Sequence, residues 1–101
     1  MKIVYCTCNV SVLQSLQELL NSLEIKSYQI IDRVLAKNML GDNRFDTAVW
    51  PSYNSSLIMQ ITDDEKATQV MNAIRQFNKK AFNQNELVIA AMWAVDDFCF
   101  D

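Results

Sequence analysis

The sequence contains no histidine, one glycine and one proline among its 101 residues. Without histidine the chain lacks the commonest general base, the usual partner of a Ser or Cys nucleophile, and the commonest ligand of a transition metal. No glycine-rich run is available to wrap backbone N–H groups around phosphates. Basic residues are few: nine Lys plus Arg against twelve Asp plus Glu leave a formal charge of −3 and a pI near 4.8. Apart from Lys79-Lys80 they are scattered, so the basic stripe demanded by a phosphate backbone is missing and nucleic acid is disfavoured as a partner. The longest apolar run, Leu87 to Val95, is too short to span a bilayer, and no membrane insertion is expected. Met1-Lys2 leads directly into Ile3-Val4-Tyr5 without the pattern of a secretory signal, which makes a cytoplasmic location the expectation. Three cysteines, an odd number, suit a reducing compartment better than a disulfide framework.

Half of the residues are apolar, enough for one domain, residues 1–101, to build a core without disulfides or a structural metal. No repeat or low-complexity tract interrupts it. Lys2 to Cys8 alternates Ile3, Tyr5 and Thr7 against Val4, Cys6 and Cys8, the period of a strand. Ser11-x-x-Gln14 has the spacing of a capping box, and Val12, Leu13, Leu16, Leu19, Leu20 and Leu23 follow at helical spacing. Tyr28 to Lys37 and Leu57 to Ile61 read as two further strands. Thr62-x-x-Glu65 opens a second helix with Asp63 and Asp64 at the end where the dipole favours negative charge. Ala67, Val70, Met71, Ile74 and Phe77 line its apolar face, and Leu87 to Val95 closes the pattern as a fourth strand.

This order predicts an α+β, ferredoxin-like βαββαβ sandwich, with a four-stranded antiparallel sheet and two helices on one face. The other face is then bare, yet the first and fourth strands are apolar on both sides. A sheet apolar on both faces has to be covered on both. The chain has no third helix, so a closed homo-oligomer packed sheet to sheet is expected.

Between the second and third strands lies Asn38 to Ser56, holding Gly41 and Pro51 together with Phe45, Trp50 and Tyr53. A hairpin needs far fewer residues, and long loops in compact domains are usually functional. The aromatics either contact a ligand or partner or extend the hairpin against another subunit. Arg33, Lys37, Arg44 and Asp46, at or near the loop base, join Phe45, Trp50 and Tyr53 as candidate ligand- or partner-binding residues.

Ile3-Val4-Tyr5-Cys6-Thr7-Cys8, the segment Asp32-Arg33-Val34-Leu35 and the stretch Asn83-Gln84-Asn85-Glu86-Leu87-Val88-Ile89 resemble the PII-like superfamily, which includes PII signalling proteins and CutA proteins. The resemblance covers essentially the whole chain. It implies a homotrimer with inward-facing sheets, ligands in the clefts between subunits, and a mobile loop that touches a membrane transporter or enzyme. The chain departs from nucleotide-binding PII proteins in having no glycine-rich turn before its last strand and in ending acidic, Asp96-Asp97-Phe98-Cys99-Phe100-Asp101. ATP and 2-oxoglutarate are therefore not carried over, and the effector and any cofactor are unknown.

Cys6 and Cys8 point to the same side of a strand and could hold a soft ion, as a CutA-like metal-tolerance role would need, but two ligands are too few for a structural site. Buried cysteine more commonly packs as a small hydrophobe, and no metal ligand is assigned. Asp63-Asp64 and Asp96-Asp97 are neighbours that do not converge. Without histidine or a convergent acid and base, an enzyme is the least supported reading. A trimeric regulator acting through the loop 38–56 leads, with metal binding through Cys6 and Cys8 as the alternative.

Overall fold

The computed structural model of the protein describes residues 1–100; Asp101, the last residue of the expected domain, lies outside the described residues. The elements run β1 (Lys2–Asn9), α1 (Val10–Ser22), β2 (Gln29–Val34), β3 (Asn54–Ile61), α2 (Asp64–Lys79), a short 3-10 turn (Gln84–Glu86) and β4 (Ile89–Ala94). The strands form one antiparallel sheet in the order β2-β3-β1-β4, the expected ferredoxin-like arrangement. Alternation in β1 and β3 turns Val4, Cys6, Cys8, Leu57, Met59 and Ile61 to one side, where they meet the stripes Val12-Leu16-Leu20 of α1 and Ala67-Val70-Ile74 of α2 in a single core.

Both helices start one or two residues from the expected caps. Asn9, not Ser11, caps α1, its side chain accepting from the Ser11 N–H at 3.3 Å; Asp63, not Thr62, caps α2, its Oδ1 accepting from the Glu65 N–H at 3.0 Å. In each case a short Asx side chain already stands at the strand-to-helix junction and takes the free donor. Asp64 and Glu65 occupy the first turn of α2 and Lys79 its last, complementing the dipole.

The strand limits also move. β2 ends at Val34 rather than Lys37 because its register slips between Ile31 and Val34, and only an isolated Ala36–Arg44 bridge continues it. β3 begins at Asn54 rather than Leu57. Its polar start hid it from periodicity, but Ser55 Oγ donates to the Asp32 carbonyl at 2.7 Å and Ser56 Oγ pairs with the Tyr5 hydroxyl at 2.9 Å. The connecting loop is therefore 35–53, not 38–56. β4 starts at Ile89, since the side chain of Asn78 occupies both the N–H and the carbonyl of Val88 at 2.8 Å each.

The second face of the sheet carries Ile3, Tyr5, Ile31, Ile58, Ile89, Ala91 and Trp93. It is open over β4, where Ile89 is 53% and Trp93 48% exposed, while Ile3, Tyr5 and Ile58 are half-buried. Exposed apolar side chains grouped in this way are a common mark of interaction surfaces. No described helix is long and apolar enough to cross a membrane.

Truncating Leu16, fully enclosed between helix and sheet, should separate core from surface in denaturant titrations. Leu16→Ala is expected to lose about 2–5 kcal/mol of unfolding free energy, and the exposed Leu35→Ala no more than about 0.5 kcal/mol.

Candidate functional site

The loop 35–53 divides into an outer tip and a base pressed onto the sheet. The tip is closed by its own backbone: Asp46 N–H donates to the Ser52 carbonyl at 2.8 Å and Thr47 N–H to the Trp50 carbonyl at 2.9 Å, with Thr47 Oγ1 accepting from the Trp50 N–H. Asp46 and Ser52 take left-handed φ values of 54° and 72° to make the reversal. Arg33 on β2 ties the tip down through an exposed ion pair with Asp46 at 2.5 Å. Such a pair contributes at most about 1 kcal/mol, so it holds the loop without locking it.

At the base, Gly41 adopts φ +80°, and a Cβ there would stand 2.5 Å from Asn85 Oδ1. Only glycine permits both the turn and this approach. Asn85, in the 3-10 turn before β4, uses that oxygen to accept from the Asp42 N–H at 2.7 Å. Its carbonyl accepts from Arg44 Nη2 at 3.1 Å, while Arg44 Nη1 donates to the Asp42 carbonyl at 3.1 Å. Arg44 is only 5% exposed. Among the described residues the ion pairs are Met1–Asp64 and Arg33–Asp46, so the buried guanidinium faces neutral carbonyls and has no counter-ion.

Asn54, at the start of β3, stands beside it. Its Nδ2 donates to Asn38 Oδ1 at 3.2 Å, and Asn38 Nδ2 donates to the Asp42 carbonyl at 2.7 Å, a relay that sets which way both amides face. The result leaves Asn54 Oδ1 buried with no donor. Arg44 and Asn54 line one cavity of about 30 Å³ with Thr7, Asn9 and Asn85, at the end of β1 and the margin of the bare face. That is room for one or two oxygen atoms of a guest whose remainder lies outside the cavity. A lone buried cation and an orphaned acceptor in one small cavity are each costly, and a single guest offering acceptor oxygens to the first and a proton to the second relieves both.

The candidates from the sequence thus separate. Arg33 and Asp46 meet each other, Arg44 is drawn into the cavity, and Lys37 stays on the surface outside the ion pairs of the described residues. Phe45 and Tyr53 are half-buried, Tyr53 accepting from the Val10 N–H through its carbonyl at 3.1 Å, and Trp50 is exposed at the tip. Asn38, Asn54 and Asn85 were not among the candidates. The one visible signal was the single glycine amid polar amides, which marks a close backbone approach without naming its partner.

Cys6 and Cys8 do share a face, but it is the buried one. Burial pushes the Cys6 thiol up to about 12, aided by its neighbour Cys8; burial raises Cys8 to about 11 against the pull of the Arg44 guanidinium. Both stay protonated at neutral pH, and among the described residues no three metal-ligating groups gather. Iodoacetamide at pH 8 should therefore label the exposed Cys99 in the native protein and reach Cys6 and Cys8 only after denaturation, as read by peptide mass. Because folding holds both thiols protonated, their stabilising effect is present below the unfolded pKa of 9.0 and is lost as the pH climbs toward 11 to 12.

No family model matches the sequence, and no curated protein does. Solved structures do match over most of the chain. A PII-like protein from Thermus thermophilus is 22% identical with a TM-score of 0.59, the alignment covering 91% of this chain and 83% of that one. CPII from Thiomonas intermedia K12, bound to ADP and bicarbonate, is 14% identical with a TM-score of 0.66, covering 95% and 88%. The apo form of CPII, a nitrogen regulatory PII-like protein, is 16% identical with a TM-score of 0.57, covering 93% and 89%. The chain has the fold of PII-like proteins.

Proposed function

We propose that the protein is a PII-like regulator, a cytoplasmic homotrimer packed through its bare sheet faces, which binds a small oxyanion beside Arg44 and signals through the loop 35–53 to a transporter or enzyme. The observation that carries this reading is the buried, uncompensated Arg44 sharing a cavity with the unpartnered Asn54 Oδ1. The guest these atoms ask for is a singly charged, compact oxyanion that keeps one proton, and bicarbonate is such a species. That CPII is bound to bicarbonate in the same fold supports the choice. The cavity within one chain is far too small for a nucleotide.

The site adjoins the apolar face at Ile89, so a neighbouring copy covering that face would roof the cavity and exclude water. Coupling to the loop follows from the same bonds. The Asp42 carbonyl accepts from both Arg44 and Asn38, and the Arg44 backbone forms the bridge to Ala36 that begins the loop. A guest that pulls on the guanidinium therefore loads the segment carrying Asp46 and, beyond it, the exposed Trp50. Aromatic side chains at such positions anchor protein partners. The fold and the absence of any histidine fit a binding role better than an enzymatic one.

Calorimetry with bicarbonate and its planar isostere nitrate, which has no proton to donate, tests the site. Bicarbonate is expected to saturate and nitrate to bind about tenfold more weakly, the worth of one hydrogen bond to a charged guest. Asn54→Ala should erase that preference and Arg44→Gln should abolish binding. Amide exchange across 35–53 should slow with bicarbonate. Absence of saturable binding in the native oligomer would sink the proposal.

A further inference from the structure

Two surfaces at opposite ends of the protein remain unexplained by this site. At one end a groove of about 340 Å³ opens between the start of α1 and the segment after α2, walled by Val12, Phe77, Ala81 and Phe82 with Lys80 at its rim. Phe82 is 95% exposed. Lys79 and Lys80 enter neither ion pair of the described residues. Glu86, the one acid lining the groove, is occupied, its Oε2 accepting from the Phe82 N–H at 2.7 Å. The groove thus has mostly apolar walls, with Ser11 and Ser15 among them; its charged lining is Lys80 and Glu86, and Lys79 precedes Lys80 in the chain.

At the other end the chain leaves β4 beside Met1, where the Val95 N–H donates to the Met1 carbonyl at 3.2 Å. The segment that follows carries exposed Asp96 and Asp97, then Phe98 and Phe100 with ring centroids 5.7 Å apart. Phe100 is 88% exposed. This segment complements the groove in its two aromatics, against Phe77 and Phe82, and sets two acids against Lys80 of the lining and the adjacent Lys79.

It cannot reach the groove of its own chain. From Ala94 to Phe100 is six residues, about 20 Å at full extension. β1 alone, eight residues long, spans about 26 Å. The groove lies past the far end of β1 and on the helix side of the sheet, whereas the segment departs beside its beginning.

We propose that the segment 96–100 of each copy docks in the helix groove of the next, with Asp96 and Asp97 against Lys79 and Lys80 and the rings of Phe98 and Phe100 against Phe77 and Phe82. The occupant is a second copy of this chain because both halves of the contact are on it, alike in charge complementarity and in aromatic content. Repeated around a closed rotation axis, as in the proposed trimer, such a head-to-tail contact makes a ring. It goes beyond the proposed function in adding a second contact between copies on the helix side, independent of the sheet faces and of the oxyanion.

The test is carbodiimide cross-linking, which joins carboxylates to amines in direct contact, on full-length protein assembled from mixed light and ¹⁵N-labelled copies. The expected result is mixed-isotope peptides linking Asp96 or Asp97 to Lys79 or Lys80. They should disappear in Lys79→Glu/Lys80→Glu and return when that variant is mixed with Asp96→Lys/Asp97→Lys. High salt should weaken them, since rim charges are screened. Links confined to one isotope, links from the segment to Lys2, Lys26, Lys37 or Lys66 instead, or no links at all would overturn the proposal. Native mass spectrometry separates the failures: an intact oligomer without these links removes the tail contact and leaves the sheet-to-sheet assembly, whereas a monomer removes both.

Discussion

Two helices can cover only one side of a four-stranded sheet, and the organisation of this protein follows from that shortage. The covered side is a complete core in which β1 and β3 supply alternate residues and each helix a single stripe. The other side carries isoleucines and a tryptophan to the solvent. At roughly 25 cal/mol per Å², covering a few hundred Å² on each copy contributes several kcal/mol before the cost of association. The margin of the cavity reaches this face at Ile89.

The loop base concentrates costly groups in one place. Burying a guanidinium against two carbonyls, with no ion-pair partner among the described residues, leaves part of its charge uncompensated. An orphaned amide oxygen beside it adds a second penalty. Gly41 and Asn85 hold both in place, since the glycine lets the loop approach and the amide bonds it there. Strain and unsatisfied groups collect where a structure is prepared to bind. The exposed Arg33–Asp46 pair, by contrast, is a weak tie on the loop tip.

The cysteines show the limit of spacing as a guide to chemistry. Two residues apart on a strand, Cys6 and Cys8 share a face in sequence and in structure alike. Whether that face meets solvent or core is decided by the helices above it, and the core reading gives thiols that resist ionisation. The Asn amides show the converse. Nothing in the local sequence distinguishes Asn38, Asn54 or Asn85 from surface amides, because their roles depend on partners up to 43 residues away.

Periodicity by itself determined the six elements, their order, the apolar stripes of both helices and the excess of apolar surface on the sheet, because each depends on residues close together in the chain. It placed caps and strand ends less well, at Ser11, Thr62, Lys37 and Leu57, where short polar side chains or a register slip override pattern. Only the tertiary structure decided that Arg44 is buried with no counter-ion among the described residues, that Arg33 pairs with Asp46, and that Asn54 Oδ1 is buried with no donor among them. Those outcomes are set by long-range geometry: a loop of 19 residues, 35–53, folds back onto a turn some 40 residues further along, and no local preference encodes where it lands.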